Sequence, residues 1–410
     1  MEQEPKRRLE TLPTELIQLI LSAIPNIESL EAAVLTGPRL HYAFKAFETR
    51  IVKPILSHEI AAELLHDALA VEISSQKQAW STEELKEFLA KYCARDQQPF
   101  HVLLSGKLTQ ARSLIRLHNA VKFHRDRLAS EVLSSNPVSA ASAVSPVRPL
   151  SKAEETRIDC SLYRFQIYCN LFRDWKKIPD SFHFDQAEVF FSLFAPWENE
   201  QLACIHDYLL RIVKPVLEGF YLNSPAWVEW LLHAGSGLNG SLQFQLSCGL
   251  HHMETIAEKK TLDAQKEFLS VPENVNVNEW FLDFAMKSAE EELPEQDPIP
   301  KPSYPDTDSG PEDSWRWVPP TLRFIYNPVS APLRQFAYVL WDRQRLEEWG
   351  FFETSFDGKA EAEDPDLAEF KEKRALENSA KTMVKKGLLQ NSILDEVWED
   401  EIWERQSETS

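Results

Sequence analysis

Glycine and methionine are scarce in this chain, with 11 and 4 residues respectively among 410. So few glycines leave little material for the tight turns of antiparallel β architectures, and the composition therefore favours helices. No run of eighteen apolar residues occurs, so we expect no membrane-spanning helix. Residues 1–8 lead into an amphipathic helix rather than into the apolar core of a signal peptide.

The cysteines are few, odd in number and widely spaced. They are Cys93, Cys160, Cys169, Cys204 and Cys248. This usage is typical of reduced, mostly buried thiols in an intracellular protein, because disulfide frameworks use an even number of cysteines. The sequence therefore predicts a cytoplasmic or nuclear location, without a feature that chooses between the two.

Positive charge is also in short supply, since 44 Lys and Arg face 64 Asp and Glu for a formal charge of −20. This balance speaks against binding to nucleic-acid phosphates. Two tracts carry most of the excess: residues 290–314 hold nine acids against one base, and residues 353–410 hold sixteen against eight. We expect the first tract to lie largely in a disordered linker and the second to form an acidic, partly helical tail.

Apolar residues are concentrated near the N-terminus. Residues 12–24 predict a short helix that begins at Pro13, because proline suits the first helical position, and Glu15 lies in its first turn. A second short helix follows Asn26 as N-cap and contains Val34 and Leu35. The first helix has an apolar stripe formed by Leu12, Leu16, Ile20 and Ile24 at four-residue steps and widened by Ile17 and Leu21. Two such short helices cannot bury this much apolar surface by themselves, so we expect part of it to bind another surface.

The segment from Leu9 to Phe47 resembles an F-box. The resemblance rests on the opening Leu12-Pro13-Thr14-Glu15-Leu16, on Ile20-Leu21 and on a second helix rich in Leu and Val. The later part departs from the family pattern, because Gly37-Pro38 stands where many members carry Val-Cys followed by basic residues and Trp. A Gly-Pro pair is expected to end a helix at that point.

Segments farther along the chain are similar to a group of uncharacterised fungal proteins with F-box-like N-termini. These segments are residues 161–172, 196–198, 204–208 and 338–343. The likeness supports the F-box resemblance but implies no activity of its own.

The F-box resemblance implies a substrate receptor of an SCF-type, cullin-based ubiquitin ligase. Such a receptor binds a Skp-family adaptor, and through it a cullin scaffold, while the remaining helical body holds a protein substrate. It performs no bond chemistry, so we expect neither enzymatic activity nor a cofactor or metal. The adaptor-binding residues that the resemblance implies are Leu12, Pro13, Leu16, Ile17, Ile20, Leu21, Val34 and Leu35. The alternative is a non-enzymatic helical interaction or scaffold protein whose N-terminal helices pack internally.

We predict an all-α fold with irregular helix packing. Its predicted parts are an F-box-like helical module (9–50), a helical segment (51–133), a disordered Ser/Ala/Pro linker (134–152), a helical domain (153–292), a disordered acidic Pro-rich linker (293–314), an aromatic segment and helix packing on the helical domain (315–352) and the tail (353–410). Residues 51–69 and 332–349 are each predicted as one helix, the latter ended by Gly350. In the tail, an apolar edge is formed by Leu389, Ile393, Val397, Trp398 and Ile402.

Two groups of residues suggest chemistry but have simpler interpretations. His251-His252 resembles a metal site, yet adjacent histidines point about 100° apart on a helix and no third ligand lies nearby. Cys204 and His206 suggest a nucleophile and its base, but residues two apart face opposite sides of a helix. We interpret both groups as parts of the packed interior.

Two further patterns suggest a ligand. The loop 235–240 is rich in glycine but lacks the Lys-Ser/Thr that follows a phosphate-binding loop. Trp341, Arg345 and Trp349 recur at four-residue spacing, so they either clamp a ligand through cation–π contacts or belong to a helix that docks on the core. The second interpretation is favoured.

Overall fold

The computed structural model describes residues 12–95, 104–134, 148–174, 186–221, 237–269, 281–292, 302–304, 306–320, 330–353 and 378–389, with residues 225, 300, 323 and 326. All structural statements below concern this part of the chain. Within it, every regular element is a helix, which confirms the predicted all-α class.

The first half of the chain forms seven α-helices. They are α1 (Thr14–Ser22), α2 (Ile27–Leu35), α3 (Pro38–Glu59), α4 (Ala62–Gln76), α5 (Thr82–Cys93), α6 (Leu108–Ser134) and α7 (Lys152–Phe172). The helices that follow are shorter, apart from α9. They are α8 (Gln186–Val189), α9 (Pro196–Tyr221), α10 (Gly237–Ser247), α11 (Leu250–Glu258), α12 (Leu262–Leu269), α13 (Leu282–Glu292), α14 (Gly310–Trp317), α15 (Ala331–Gln335), α16 (Arg343–Glu348) and α17 over residues 378–385. Short 3₁₀ turns cover Phe191–Leu193, Tyr338–Leu340 and Phe351–Glu353.

Helix α7 lies at the centre of the body, where it packs against α4, α6 and α9. Of its 21 residues, 16 are buried. It begins at a capping box, in which the Ser151 hydroxyl accepts from the Glu154 amide and the Glu154 carboxylate accepts from the Ser151 amide. Because the helix is covered on all sides, its charged side chains must find partners inside the protein.

Two arginines of α7 are paired with residues far away in the sequence. The Nε of Arg157 donates to Asp306 at 2.8 Å, and its Nη1 donates to the Leu340 carbonyl at 2.7 Å. The Nη2 of Arg164 donates to the Glu198 carboxylate at 2.9 Å, and both side chains are almost fully buried. These pairs attach the chain around residue 306 and residue 340 to the central helix.

The described part of the predicted acidic linker is packed, which differs from the disordered segment expected over residues 293–314. The Ser303 amide donates to both Glu198 oxygens at 3.0 Å, and Tyr304 is buried. Helix α14 begins within this segment, at Gly310. One of the acids that suggested a solvated linker, Asp306, instead pairs with the buried Arg157, and composition alone does not reveal such a role. Residues 293–299 lie outside the described residues.

The predicted Ser/Ala/Pro linker over residues 134–152 is only partly described, since residues 135–147 lie outside. Its last part is attached to the body. The carbonyls of Arg148 and Pro149 accept hydrogen bonds from the Arg345 guanidinium at 3.0 and 2.8 Å.

The helix predicted over residues 51–69 is interrupted. Helix α3 ends at Glu59, Ile60 is extended (φ −113°, ψ 118°), and α4 begins at Ala62. Ile60 is fully buried, and the change of direction allows α3 to pack on α6 while α4 packs on α7. Helix α3 is kinked at Phe47 (φ −137°, ψ 23°), close to the boundary predicted at residue 50, and its second part continues to Glu59.

The single helix predicted over residues 332–349 is divided into α15, a 3₁₀ turn and α16. Ala337 adopts a left-handed conformation (φ 55°) and Trp341 an extended one (φ −99°, ψ 149°). This path buries Trp341 completely and lets its indole donate to the Phe336 carbonyl. Helix α16 is followed by Gly350 with φ 70°, which confirms the predicted glycine end.

We expect Glu198→Ala to destabilise the body strongly, because it leaves the buried Arg164 guanidinium without its counter-charge. Removing one partner of a buried ion pair costs about 3–5 kcal/mol. Urea unfolding measures this loss. The matched control is Glu312→Ala, which removes an exposed pair with Arg316 and is expected to cost less than about 1 kcal/mol. Equal losses in the two variants would show that the buried pair does not hold the body together.

Candidate functional site

Helix α1 carries apolar side chains on two opposite sides. Ile17 and Leu21 point into the protein and are fully buried. Leu16, Leu19 and Ile20 lie on the other side, with 45%, 66% and 41% of their surface exposed. A nine-residue helix that packs on one neighbour can bury only one of these sides, so the other remains open.

Helices α2 and α3 add three more exposed apolar residues. Leu35 is 76% exposed, Tyr42 is 74% exposed and Phe47 is 40% exposed. Together with the α1 residues they make up six of the eight large hydrophobic residues that are exposed in the described chain. This concentration on the first three helices is unusual, because exposed apolar residues on a monomer are normally scattered along the chain. We call these six residues the N-terminal face: Leu16, Leu19, Ile20, Leu35, Tyr42 and Phe47.

The helices that carry the N-terminal face are in contact with one another. The side-chain amide of Gln18 on α1 donates to the Ala43 carbonyl on α3 at 3.1 Å. The guanidinium of Arg39 donates to the Leu12 carbonyl at 2.8 Å, just before α1 begins. These hydrogen bonds hold α1 against the first half of α3.

The structure divides the eight predicted adaptor-binding residues into three groups. Pro13, Leu16, Ile20 and Leu35 are exposed, and Leu12 is half-buried. Ile17, Leu21 and Val34 are buried within the protein, so in this conformation they support the face instead of presenting it.

Three residues of the N-terminal face were absent from the sequence-based prediction: Leu19, Tyr42 and Phe47. The Gly37-Pro38 pair explains the omission on the third helix, because it was expected only to end α2. It also begins α3, with Gly37 as the N-cap and Pro38 at the first helical position. At 100° per residue, Leu19 lies beside Leu16 on the outer side of α1, so the helical period was an available signal.

Positive charge accompanies the apolar residues on α3. The side chains of Arg39, Lys45, Arg50 and Lys53 are exposed. The two acids of this helix are not exposed, since Glu48 is buried and Glu59 is half-buried. The site is therefore apolar with a basic border, in a chain whose formal charge is −20.

Glu48 fastens the N-terminal helices to the body. Its carboxylate accepts from the Leu108 amide at the start of α6 at 2.9 Å, and it pairs with Lys45 at 3.2 Å and Lys107 at 3.6 Å. A second tie joins Arg112 of α6 to Glu31 of α2. Helices α2 and α3, which carry part of the N-terminal face, are therefore attached to α6.

The residues considered for metal binding are engaged in hydrogen bonds. His251 contacts Glu254 at 3.3 Å, and His252 contacts the Gln245 side chain at 2.6 Å. In the described part of the chain, no group of three or more His, Cys, Asp and Glu residues is placed to hold a metal ion.

The Cys204 and His206 side chains belong to the interior, as interpreted from their spacing. Burial raises the pKa of the Cys204 thiol well above its ordinary value, which disfavours a thiolate nucleophile. The imidazole of His206 contacts Asp207 at 3.4 Å and Gln243 at 3.4 Å. Burial raises the pKa of Asp207, but Arg334 lowers it more, to about 2, so this carboxylate is ionised and paired.

The two tryptophans around Arg345 belong to the packed body, as the favoured interpretation held. The Arg345 guanidinium lies 5.7 Å from the Trp341 ring and 5.9 Å from the Trp349 ring. It also pairs with the buried Glu154 carboxylate at 2.6 Å. Because its donors are used in this way, the Arg345 guanidinium is part of the packed interior and is not presented to a ligand.

The described residues thus define an all-α protein whose most prominent surface feature is an apolar face with a basic border. No protein-family model, no curated protein and no solved structure matches the chain. None of the described helices combines the length and the apolar character that crossing a bilayer requires.

We expect Leu19→Asp and Leu21→Asp to differ sharply in stability. Leu19 is exposed, so its replacement should change the free energy of unfolding by less than about 0.5 kcal/mol. Leu21 is fully buried, and an unpaired carboxylate there should cost more than about 3 kcal/mol. Hydrogen exchange of the α1–α3 amides measures both effects. A large loss of protection in Leu19→Asp would show that this side of α1 is covered within the molecule.

We expect Glu48→Gln to loosen the N-terminal helices and to reduce their acid sensitivity. Burial raises the pKa of Glu48, but the Leu108 amide and the Lys45 ammonium lower it below its ordinary value. A depressed folded-state pKa gives stability that is present above the unfolded-state pKa and lost as the pH falls through the folded-state pKa. The loss in Glu48→Gln near neutral pH should be about 1–3 kcal/mol.

Hydrogen exchange of α1–α3 at neutral and acidic pH measures this effect. The matched control is Glu87→Gln, which breaks an exposed pair with Lys91 and should change little. Identical pH profiles for Glu48→Gln and the unmodified protein would contradict the assigned role of Glu48.

Proposed function

We propose that this protein is the substrate receptor of an SCF-type, cullin-based ubiquitin ligase, and that a Skp-family adaptor covers its N-terminal face. The single observation that supports this most strongly is the exposure of Leu16, Leu19 and Ile20 on a helix that opens with the F-box-like Leu12-Pro13-Thr14-Glu15-Leu16. Exposure of this apolar surface to water is unfavourable, and binding of a second polypeptide would bury it.

The composition of the face suits an interface that is stable yet separable. Full burial of a leucine or isoleucine side chain contributes about 1.5–3 kcal/mol, which exceeds what ordering one side chain costs. Tyr42 offers a large ring with few rotatable bonds, which is the type of residue that dominates binding energy at interfaces. The exposed bases of α3 favour a partner surface that carries carboxylates.

The rest of the molecule suits a rigid holder for a protein substrate. The ion pairs of Arg157 and Arg164 fix segments that are distant in sequence onto the central helix α7. A receptor of this kind performs no bond chemistry. It raises the effective concentration of a substrate lysine near the conjugating enzyme, and a rigid body maintains that geometry. On this proposal the protein acts inside the cell, in the cytoplasm or the nucleus.

A scaffold protein whose N-terminal helices are only packing elements is the second candidate. The burial of Ile17, Leu21 and Val34 and the contacts of α2 with α6 favour it. Removal of residues 1–50 does not separate the two candidates, because it would cut α3 and expose the buried side in either case. Substitutions on the exposed side do separate them.

We expect Leu16→Asp to abolish co-purification of a Skp-family adaptor while the protein stays folded. Leu16 is already 45% exposed, so the charge is tolerated in the free protein but becomes desolvated when a partner covers it. The matched control is Ser22→Asp, which adds the same charge to an exposed residue on the flank of the same helix. Quantitative adaptor binding after affinity purification is the measurement. Undiminished binding by folded Leu16→Asp would contradict the proposal.

A further inference from the structure

The C-terminal end of the chain has the opposite charge to the N-terminal face and a matching apolar pattern. Residues 390–410 lie outside the described residues, so their charge and apolar pattern are taken from the sequence. Residues 391–410 contain seven acids and one base. Val397, Trp398 and Ile402 of the predicted apolar edge lie on one side of a helix together with Leu394, while Glu396, Glu399 and Asp400 lie on the other side.

The N-terminal face provides what such a segment binds. An amphipathic helix lays its apolar side into an apolar surface through residues one turn apart. The six apolar residues of the face are open, and exposed bases accompany them on α3. Among the described residues, no carboxylate pairs with Arg39, Arg50 or Lys53. Unpaired bases beside an apolar surface favour an acidic, apolar ligand over a neutral one.

We propose that residues 390–405 of the same chain bind the N-terminal face and mask it. Trp398 is the anchor, because a buried tryptophan contributes more to such contacts than any other residue of the segment. The acids at 395, 396, 399 and 400 face the bases of α3. The contact is intramolecular and is released when a partner with higher affinity arrives.

Attachment to the same chain makes a weak contact sufficient. The segment directly follows α17, whose Ala380 and Met383 side chains are buried, so it extends from a helix that is packed in the same molecule. A tethered ligand experiences an effective concentration on the order of 1 mM. A segment that binds in trans with a dissociation constant of about 1 mM therefore covers the face in about half of the molecules.

The consequence of this contact is competition at the site of the proposed function. The masking itself requires no adaptor, but its regulatory role rests on adaptor binding to the same face. A face that is free in about half of the molecules lowers the apparent affinity for any partner about twofold. The masked state also keeps an apolar surface from binding other proteins before the correct partner arrives.

Photo-crosslinking in the full-length chain tests the contact directly. Benzoylphenylalanine is placed at Tyr42, which is 74% exposed on α3. Trypsin cleaves after Lys386 and Arg405, so the segment is released as a single peptide, residues 387–405. We expect this peptide to be joined to the α3 peptide in material that migrates as a monomer. The control reporter stands at Phe284, an exposed aromatic residue on α13, and should not capture it.

Variants of the segment separate specific docking from chance encounter. Trp398→Ala combined with Ile402→Ala should lower the crosslink yield about tenfold, because it removes the anchor and its neighbour on the stripe. The matched control, Leu388→Ala, removes an exposed leucine of the same peptide outside the stripe and should leave the yield unchanged. High salt should reduce the yield as well, since the ion pairs are exposed.

Two results would overturn the proposal. One is the absence of peptide 387–405 among the Tyr42 crosslinks, and the other is its capture only in a dimer band, which would make a second copy the occupant. Adaptor binding is measured separately. The double variant should bind the adaptor about twofold more tightly than the unmodified chain. Crosslinking without any adaptor binding would refute the proposed function and leave the masking contact standing.

Discussion

The body of this protein depends on the cost of burying charge without a partner. Helix α7 is covered on all sides, yet it contains Glu154, Arg157 and Arg164 at positions that water does not reach. Each of these groups requires a counter-charge or hydrogen-bond partner, because an unpaired buried charge is far more costly than the same charge in water. The partners come from residues 198, 306 and 345. The long-range course of the chain is therefore determined by a few acid–base pairs as much as by apolar burial.

In the N-terminal helices the cost arises from apolar surface that is exposed to water, instead of from charge that is buried. They carry more apolar surface than their contacts with α3 and α6 can cover, so one side of α1 is open while the other is sealed. Glu48 and the Arg112–Glu31 pair hold the sealed side in place, which keeps the open side rigid. A rigid apolar surface loses little entropy when a partner covers it, and this makes it effective for recognition. The same surface is a liability when uncovered, which gives an acidic tail on the same chain a physical reason to bind there.

The charge distribution connects these two parts of the molecule. Asp306 and three acids of α9, Glu198, Glu200 and Asp207, pair with buried arginines. The acids beyond residue 390 have one base among them, Arg405, whereas Arg39, Arg50 and Lys53 of α3 are exposed. The formal charge of −20 is thus a sum of paired interior acids, exposed acids and one basic surface, and it describes none of them individually.

The sequence by itself determined the helical class, the Asn26 N-cap of α2 and the glycine that ends α16, because these depend on residues within one or two helical turns. It placed the start of α1 one residue early, since Pro13 is the N-cap and Thr14 the first helical residue. It also indicated that the first helix has surplus apolar surface. Only the tertiary structure decided which side of α1 faces outward, since Ile17 and Leu16 are equally apolar and the choice depends on where α3 lies. The breaks at Ile60 and Ala337, and the packing of residues 303–317, were decided in the same way. Each depends on contacts with residues a hundred or more positions away or on a change of direction that buries one side chain, and no local pattern contains that information.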